Sequence, residues 1–155
     1  MSIHIKPINT FDQTTLDSLF EMIFHFYKEY EPNHIISKES INDTIIHLTH
    51  HPENGSIQAI YDNENTLCGY TILIKYWSNE YQGYLLYIDE LYIIPAKRSL
   101  GYGRAAISAV EKSSHGIKAL MLEVSPKNTR AQSLYETLGF EANKNNTLVK
   151  VIESI

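Results

Sequence analysis

Residues 83–104 read GYLLYIDELYIIPAKRSLGYGR, and this stretch decides the fold. Its first half, residues 83–94, is apolar at nearly every position, which predicts a strand buried on both faces. Pro95 ends that strand, and a glycine-containing turn then opens a helix predicted over residues 101–115. Because a buried strand is predicted next, over residues 119–124, the two strands must be parallel and joined by a right-handed crossover.

Upstream of this unit, the pattern predicts a short extended opening, two helices and two strands. Apolar residues recur at three- and four-residue steps over residues 16–30, which indicates an amphipathic helix, and polar residues 9–12 supply its caps. Ser37 caps a second helix. Residues 56–61 and 68–77 then predict two strands that form an antiparallel meander with the central strand.

Downstream of the parallel pair, a capping-box pattern opens a helix predicted over residues 129–138. Two short strands, near Phe140 and over residues 147–152, are predicted to pair around the polar turn at residues 144–146. The element order predicts an α+β fold, an α/β sandwich with a mixed, mostly antiparallel central sheet and helices on both faces. We expect residues 1–155 to form one domain.

Composition and charge narrow the class of protein. The chain has 155 residues, of which 43% are hydrophobic, and 13 Lys and Arg against 18 Asp and Glu give a net charge of −5. This acidic balance disfavours a broad nucleic-acid-binding surface, which needs a basic face. No run approaches roughly 18 apolar residues, and the first residues do not resemble a signal peptide, so we expect no membrane partner. The single cysteine, Cys68, favours a reducing cytoplasm.

Residues 98–104, RSLGYGR, are a candidate phosphate-binding turn between the central strand and the next helix. Two glycines let the backbone approach a ligand closely, and the free N–H groups of a helix start bind anions, above all phosphates. Lys97, Arg98 and Arg104 add a local basic cluster to an acidic protein. The alternative is a turn that binds nothing, since the pattern matches neither a Rossmann fingerprint nor a P-loop.

Two acids, Asp89 and Glu90, interrupt the apolar central strand. Burying an unpaired charge is costly, so acids at this place are candidates for a general base that takes a proton. Consecutive strand residues point to opposite faces, so we expect only one of the two to face a given site. The alternative is that either acid pairs with a neighbouring Lys or Arg in a structural salt bridge.

Three segments resemble the GCN5-related N-acetyltransferase (GNAT) family. Residues 95–103, PAKRSLGYG, resemble its R/Q-x-x-G-x-G/A signature, with Ser99 where many members carry glycine. Residues 122–131, LEVSPKNTRA, resemble the downstream motif, and residues 134–140, LYETLGF, resemble the motif near the end of the family domain. The element order is similar to the family over essentially the whole chain.

The resemblance implies an enzyme that moves an acetyl group from acetyl-CoA to an amine. It implies that Tyr135 is the general acid near the coenzyme sulfur, whereas helical periodicity alone allows a core tyrosine. It also implies that the Leu91 N–H polarises the thioester and that Asn128 bonds the pantetheine arm; Asn128 can also cap the helix that follows it. The implied cofactor-binding residues are Leu91, Tyr92, Ile93, Arg98, Ser99, Leu100, Gly101, Tyr102, Gly103, Arg104, Asn128 and Tyr135.

Residues 86–98 are similar to the diamine-type acetyltransferases, whose acidic site residues fall on Asp89 and Glu90. That likeness favours a small primary amine acceptor attacked directly in a ternary complex, with Tyr27, Tyr30 and Glu31 as candidate acceptor-binding residues. A protein lysine or an N-terminal amine stays open as acceptor. The second hypothesis is a non-catalytic acyl-CoA-binding regulatory module. A homodimer is a further expectation.

His47, His50 and His51 form a small histidine cluster. His47 and His51 lie four residues apart on one predicted helix, a spacing that can bind a metal ion. The sequence shows no third ligand nearby, so we expect a solvated helix end and no metal site.

Overall fold

The computed structural model describes residues 3–8 and 12–153. Within these residues, four helices and five strands follow in the predicted order up to the fourth helix. Their bounds are β1 Ile3–Pro7, α1 Gln13–Tyr30, α2 Lys38–His50, β2 Gly55–Asp62, β3 Leu67–Ser78, β4 Gly83–Ile93, α3 Tyr102–Ser113, β5 Ile117–Leu122 and α4 Thr129–Thr137. A single 3₁₀ turn, Pro95–Lys97, links β4 to α3.

The five strands form one sheet in the order β1-β2-β3-β4-β5. The first three pairs are antiparallel, and β4 pairs with β5 in parallel, as predicted. Leu19, Ile23 and Ile45 bring α1 and α2 onto one face of the sheet. Ile107 and Val110 bring α3 onto the other face. These contacts confirm the α+β sandwich with helices on both sides.

Side-chain caps fix where α1 and α2 begin. Asp12 accepts the N–H of Thr15 at 3.2 Å at the start of α1, whereas the other predicted capping residues, 9–11, lie outside the described residues. Ser37 and Ser40 form a capping box at the start of α2.

A β-bulge interrupts β4 at Asp89. Glu90 pairs with Ile72 of β3 and Ile88 pairs with Leu73, so Asp89 has no partner on β3. The extra residue reverses which side chains of β4, at odd or at even positions, lie on a given face of the sheet. Ile88 packs toward α3, whereas Glu90 and the residues beyond it at even positions pack toward α1. Our expectation that only one of Asp89 and Glu90 faces a given site assumed the regular alternation of a strand, which the bulge interrupts at this point.

The two short strands predicted after α4 are absent from the described residues. Residues 140–151 form no strand: the N–H of Phe140 donates to the carbonyl of Tyr135 at 3.0 Å, at the end of α4, and residues 147–152 form no backbone hydrogen bond within the described part of the chain. Leu148 and Ile152 are 92% and 90% exposed. A period-two apolar pattern gives strand propensity, but a strand also needs a hydrogen-bonding neighbour, and none in the described part of the chain pairs with this segment.

Within residues 3–8 and 12–153, no helix is both long enough and apolar enough to cross a membrane.

Candidate active site

A cleft of about 320 Å³ opens where β4 and β5 separate. The last parallel pair is Ile88 with Leu122, and beyond it β4 continues to Ile93 without a partner on that side. The walls of the cleft come from the end of α1, the free part of β4, the turn before α3, the end of β5 and α4. The topology therefore brings the segments that resemble the family motifs to one place.

Backbone groups on the open edge of β4 point into this gap. The N–H of Ile94 donates to the carbonyl of Cys68 at 3.0 Å, which fixes the residues whose backbone faces β3. In an antiparallel pair, every second residue directs its N–H and C=O groups toward the partner strand. The backbone groups of Tyr92 therefore also face β3, and those of Leu91 and Ile93 face the gap. Arg98 bonds the Ile93 carbonyl, whereas the N–H and the carbonyl of Leu91 have no hydrogen-bond partner among the described residues.

The turn before α3 presents a row of unbonded N–H groups. In the described residues, the N–H groups of residues 99–104 donate to no backbone acceptor, and the first bond of the helix runs from Ala105 to Gly101 at 3.0 Å. Ser99 and Gly101 both adopt left-handed backbone, with φ of 60° and 86°. This geometry, joined to a helix N-terminus, is suited to binding a phosphate group.

Gly103 serves a different purpose from Gly101. A Cβ atom at Gly103 would lie 3.1 Å from Cδ2 of Leu134, so the missing side chain lets α3 approach α4 closely. This contact brings the start of α3 beside the helix that carries Tyr135.

The predicted basic cluster is largely neutralised by acids from distant parts of the chain. Lys97 donates to the buried carboxylate of Asp62 at 2.8 Å. Arg98 forms two bonds to Glu29, at 2.6 and 2.7 Å. Arg104 lines the cleft and has no acidic partner among the described residues.

Two of the predicted cofactor-binding residues, Leu100 and Tyr102, do not line the cleft, whereas Tyr92 does. The side chains of Tyr92 and Tyr102 are buried in the hydrophobic core, and the exposed side chain of Leu100 does not line the cleft. Asn128 lines the cleft and also caps α4, where it accepts the N–H of Ala131 at 3.2 Å. Both predicted uses of Asn128 are therefore compatible with one geometry.

The two acids of β4 occupy different environments. Asp89 lines the cleft, and burial raises the pKa of its carboxyl, as does the negative charge of Glu123. Glu90 lies behind it, 7% exposed, and accepts a 2.6 Å hydrogen bond from the hydroxyl of Tyr70. Burial raises the pKa of Glu90 to about 6 against the lowering effect of that bond. Neither acid forms a salt bridge with a Lys or Arg among the described residues.

Glu90 should make the free energy of unfolding depend on pH. Its pKa of about 6 in the folded state lies above the ordinary value of 4.5, so the folded protein binds this proton more tightly than the unfolded chain does. Stability from this group is complete below about pH 4.5 and is lost as pH rises through 6, by about 2 kcal/mol in all. Glu90→Gln should remove this loss. Urea unfolding at about pH 4.5 and at a pH above 6 measures the free energy of unfolding under the two conditions.

The matched control for that comparison is Glu111→Gln at an exposed position of α3. It should leave the difference between the two pH values as in the wild-type protein. An equal change in Glu90→Gln and Glu111→Gln would contradict the buried-carboxyl account.

Tyr135 lies on the wall of the cleft formed by α4. Its ring packs against Phe140, with centroids 5.7 Å apart, and burial raises the pKa of its hydroxyl, as does the nearby Tyr30. Within the described residues, the hydroxyl has no hydrogen-bond partner, and the residue lines the cleft. The tyrosine therefore combines core packing by its ring with a hydroxyl available to a ligand.

The end of α1 forms the remaining wall. Tyr30 and Glu31 line the cleft, as does Phe26, which the sequence did not single out. Tyr27 does not line it; instead it faces Glu90, and burial together with the charge of Glu90 raises the pKa of its hydroxyl. The structure thus brings two of the three candidate acceptor-binding residues to the cleft.

Two charged residues of the cleft were missed by the sequence interpretation, Glu123 and Arg130. Glu123 directly follows β5, at the point where that strand leaves β4. Polar residues at the carboxyl end of a parallel strand commonly line a ligand site. The position of Glu123 at the end of β5 could therefore have predicted its place in the cleft. Arg130 lies in the first turn of α4, where the helical pattern gives no indication of its direction.

A larger groove of about 450 Å³ lies at the opposite end of the sheet, between α2, β2 and the end of α3. Among the described residues that line it there is no carboxylate, and Lys75 and His115 are the only charged or titratable side chains. We therefore assign the chemistry to the smaller cleft, where carboxylates, a tyrosine hydroxyl and unbonded N–H groups meet.

Among the described residues, no three His, Cys, Asp or Glu side chains are grouped so that they could hold a metal ion. His47 and His51 stack with ring centroids 5.0 Å apart near the end of α2.

Comparison with known proteins identifies the family. The sequence model of the Acetyltransferase (GNAT) family matches residues 17–140. The uncharacterized N-acetyltransferase YhfO of Bacillus subtilis (strain 168) is 25% identical over 142 residues, which cover 90% of each chain.

Solved structures share the fold at lower identity. An integron cassette protein from the mobile metagenome of Cole Harbour Salt Marsh has a TM-score of 0.79 and 22% identity, over 97% of this chain and 91% of its own. A possible acetyltransferase from Clostridium difficile 630 has a TM-score of 0.78 and 18% identity, over 99% of this chain and 100% of its own.

The chain belongs to the GNAT family of acetyltransferases, because the family match covers most of its length. The resemblance noted in the three sequence motifs is thereby confirmed. The protein is an acetyltransferase that uses acetyl-CoA, the donor general to this family.

One prediction follows for the turn before α3. Gly101→Val should weaken the binding of coenzyme A by more than about tenfold, because φ of 86° is unfavourable for a β-branched residue and the row of N–H groups would be displaced. Isothermal titration calorimetry with coenzyme A measures the loss.

Gly116→Val is the matched control, because Gly116 also has positive φ, at 75°, but lies at the other end of α3. Both variants should lose folding stability, by about 1–2 kcal/mol or more. Unchanged affinity in Gly101→Val, or an equal loss in both variants, would argue against the turn as the phosphate site.

Proposed function

We propose that this cleft transfers the acetyl group of acetyl-CoA to a small primary amine, by direct attack of the amine in a ternary complex. The observation that carries the proposal is the meeting of three groups in one cleft: the Asp89 carboxylate, Tyr135 and the unbonded N–H groups of residues 99–104. Together they supply a base, an acid and an anion site, which acetyl transfer to an amine requires.

The turn and the open strand edge fit acetyl-CoA, which supplies an activated acetyl group when bound. The N–H groups of residues 99–104 would hold the pyrophosphate, with Arg104 and Arg130 adding positive charge at the cleft. The open edge of β4 from Leu91 to Ile93 and the side chain of Asn128 would hold the pantetheine arm in the manner of an added strand.

The amine must lose a proton to attack, and Asp89 is the proposed base. It lines the cleft at the bulge of β4, whereas Glu90 is turned toward Tyr70 and Tyr27. We therefore assign proton removal to Asp89, directly or through water, and assign Glu90 to the support behind it. The Leu91 N–H, on the open edge of the same strand, is the proposed donor to the thioester carbonyl.

The leaving sulfur requires a proton as the C–S bond breaks and the N–C bond forms. Tyr135 is the proposed donor, because its hydroxyl lies at the cleft and has no competing partner in the described residues. Its raised pKa keeps the phenol protonated at neutral pH, as a general acid must be before transfer.

The acceptor side carries negative charge and aromatic surface. Glu31, Asp89 and Glu123 line the cleft together with Phe26 and Tyr30. Carboxylates attract a cationic amine, and aromatic faces bind ammonium groups. With the likeness to diamine-type enzymes, this lining favours a small acceptor of the polyamine kind.

The experiment that tests this proposal is thiol release from acetyl-CoA across an amine panel. The panel contains linear diamines and polyamines, simple monoamines, a lysine-containing peptide and a peptide with a free N-terminus. We expect the highest kcat/KM with the small polycationic amines.

Other outcomes of the panel distinguish the alternatives. A clear preference for either peptide would replace the small amine with a protein acceptor. Stabilisation of the fold by acetyl-CoA, without turnover of any amine, would identify a non-catalytic acyl-CoA-binding module. The cytoplasmic location, the homodimer and the extent of the single domain stay predictions of the sequence.

A further inference from the structure

The segment that follows α4 leaves a strand-like sequence uncovered. Residues 147–152, TLVKVI, are apolar at four of six positions and on both alternating faces, which is typical of a strand buried on both sides. We call this segment the C-terminal arm. Its four apolar side chains are each at least 73% exposed: Leu148, Val149, Val151 and Ile152. A contiguous apolar surface of this kind marks a contact with another surface.

The sheet has an open edge of matching character. β5 is the last strand of the sheet, and in the described part of the chain no strand lies on its side away from β4. Five of its six residues are apolar, and it contains no proline. Natural edge strands are usually protected from pairing by charges, proline or bulges, and here Lys118 is the one charged residue of the strand. β5 therefore offers a free row of backbone groups to a further strand.

Exposed aromatic residues extend this surface beyond the strand. The end of the β3–β4 hairpin carries four of them, which we call the aromatic patch: Tyr76, Trp77, Tyr81 and Tyr84. The Tyr76 hydroxyl donates to Sδ of Met121 in β5, and Tyr84 pairs with Ile117 at the start of β5. The uncovered surface is thus continuous from the hairpin to the open edge.

The size of this surface favours a folded partner. A stable interface takes roughly 20–30 residues from each side, whereas a single arm supplies six. An arm that folded back onto the β5 of its own chain would cover the edge and leave the aromatic patch open. A second copy brings an arm, an edge and a patch together, and each of its exposed elements meets a complement.

The arm is built to reach a neighbouring molecule. The N–H of Phe140 donates to the carbonyl of Tyr135 at 3.0 Å, which anchors the chain at the end of α4. Residues 141–146, EANKNN, are all exposed and form no helix or strand, so they act as a polar linker. Fully extended, residues 141–152 span about 40 Å, which exceeds the roughly 30 Å diameter of a small domain.

We infer that the C-terminal arm pairs with the open edge of β5 in a second copy of this chain, and that two copies exchange their arms reciprocally. Backbone hydrogen bonds along the added strand provide the pairing, and two-fold symmetry closes the assembly because neither copy keeps a free arm or edge. Leu122, at the end of β5, and Glu123 line the cleft, so the partner's arm would flank the strand that carries this wall. The exchange is independent of the acceptor and goes beyond the proposed function.

Sedimentation velocity over a range of concentrations tests the assembly with the full chain. Wild-type protein should have twice the 17.8 kDa mass of one chain. Ile152→Asp should raise the dissociation constant of the dimer by about tenfold or more, because it places an unpaired charge in each of two buried strands. Ile152 is exposed in the single copy, so the variant should keep the wild-type circular dichroism spectrum.

Ile35→Asp is the matched control, because it makes the same substitution at an exposed isoleucine between α1 and α2, outside the arm, the edge and the patch. It should leave the dissociation constant within about twofold of wild type. A monomeric wild-type protein, an unchanged dimer in Ile152→Asp, or an equal loss in both variants would overturn the inference. Assemblies larger than a dimer would contradict reciprocal closure.

Cross-linking between isotopically distinct copies tests which β5 receives the arm. Unlabelled and ¹⁵N-labelled proteins are unfolded in urea, refolded together and treated with an amine-reactive cross-linker. We expect a product that joins Lys150 of the arm in one isotope to Lys118 of β5 in the other. Lys118→Arg should abolish this product, and Lys38, exposed on α2, should give no mixed-isotope product with Lys150.

Every other outcome of the cross-linking is decisive as well. Products of Lys118 with Lys150 confined to one isotope would place the arm on its own β5 and overturn the exchange. A dimer that gives no such product would have its interface elsewhere, with the same consequence. These measurements need no amine and no turnover, so they stand even if the amine panel shows that the proposed function fails.

Discussion

Replacing Tyr135 with phenylalanine is expected to lower kcat by about 10²- to 10⁴-fold, the range in which a positioned proton donor contributes. The hydroxyl lies at the cleft, while the ring packs against Phe140 and supports the fold. Because phenylalanine keeps that packing, the KM for acetyl-CoA and the affinity for coenzyme A should change by less than about twofold.

Tyr81→Phe is the matched control for this loss. Tyr81 lies in the turn between β3 and β4, is 50% exposed and does not line the cleft. Its kcat should equal that of the wild-type enzyme. Retained turnover in Tyr135→Phe would remove Tyr135 as the acid, and a parallel loss of coenzyme A binding would assign it a binding role.

Replacing Asp89 with asparagine should lower kcat/KM for the amine by about 10²-fold or more, because the amine loses its proton acceptor. The change preserves size and the backbone of the bulge, so coenzyme A should still bind. Glu90→Gln should have the smaller kinetic effect, since Glu90 does not line the cleft. The reverse ranking would transfer the base role to Glu90. Asp43→Asn, on the exposed face of α2, is the matched control and should keep full activity.

The pH profile gives a second measurement on Asp89. Burial and the charge of Glu123 hold the pKa of Asp89 above its ordinary value. The base works when deprotonated, so activity should rise as pH rises through that pKa. Glu123→Gln removes one cause of the raised pKa and should move this rise to lower pH. A shift to higher pH would contradict the assignment.

Most of the architecture could be predicted from the sequence because it depends on the local pattern of apolar and polar residues. The apolar run of β4 and the helix after it require a parallel crossover, and the structure contains that crossover between β4 and β5. The strands predicted after α4 failed because their pattern reports propensity alone. Pairing depends on a neighbour, and residues 147–152 have none in the described part of the chain.

The candidate site could be predicted only in part, because it depends on contacts between residues that lie far apart in the sequence. Lys97 pairs with Asp62, 35 residues away, and Arg98 pairs with Glu29, 69 residues away. The sequence shows these two cations as part of a basic cluster, but in the folded protein distant carboxylates neutralise them. The bulge at Asp89 likewise depends on the register with β3, which period-two reasoning does not contain. Tyr135 and Asp89 were found because motif and strand context mark them; Glu123 was visible only through its place at the end of β5.

The most direct test of the account follows acetyl groups to their product. Wild-type protein, saturated with acetyl-CoA, is given increasing concentrations of a small polyamine, and free thiol and acetylated amine are measured together. We predict saturable thiol release that depends on the amine, one acetylated amine for each thiol, and intersecting initial-rate lines when both substrates are varied. Thiol release that is independent of every amine offered, or parallel lines that indicate an acetylated enzyme, would contradict direct transfer in this cleft.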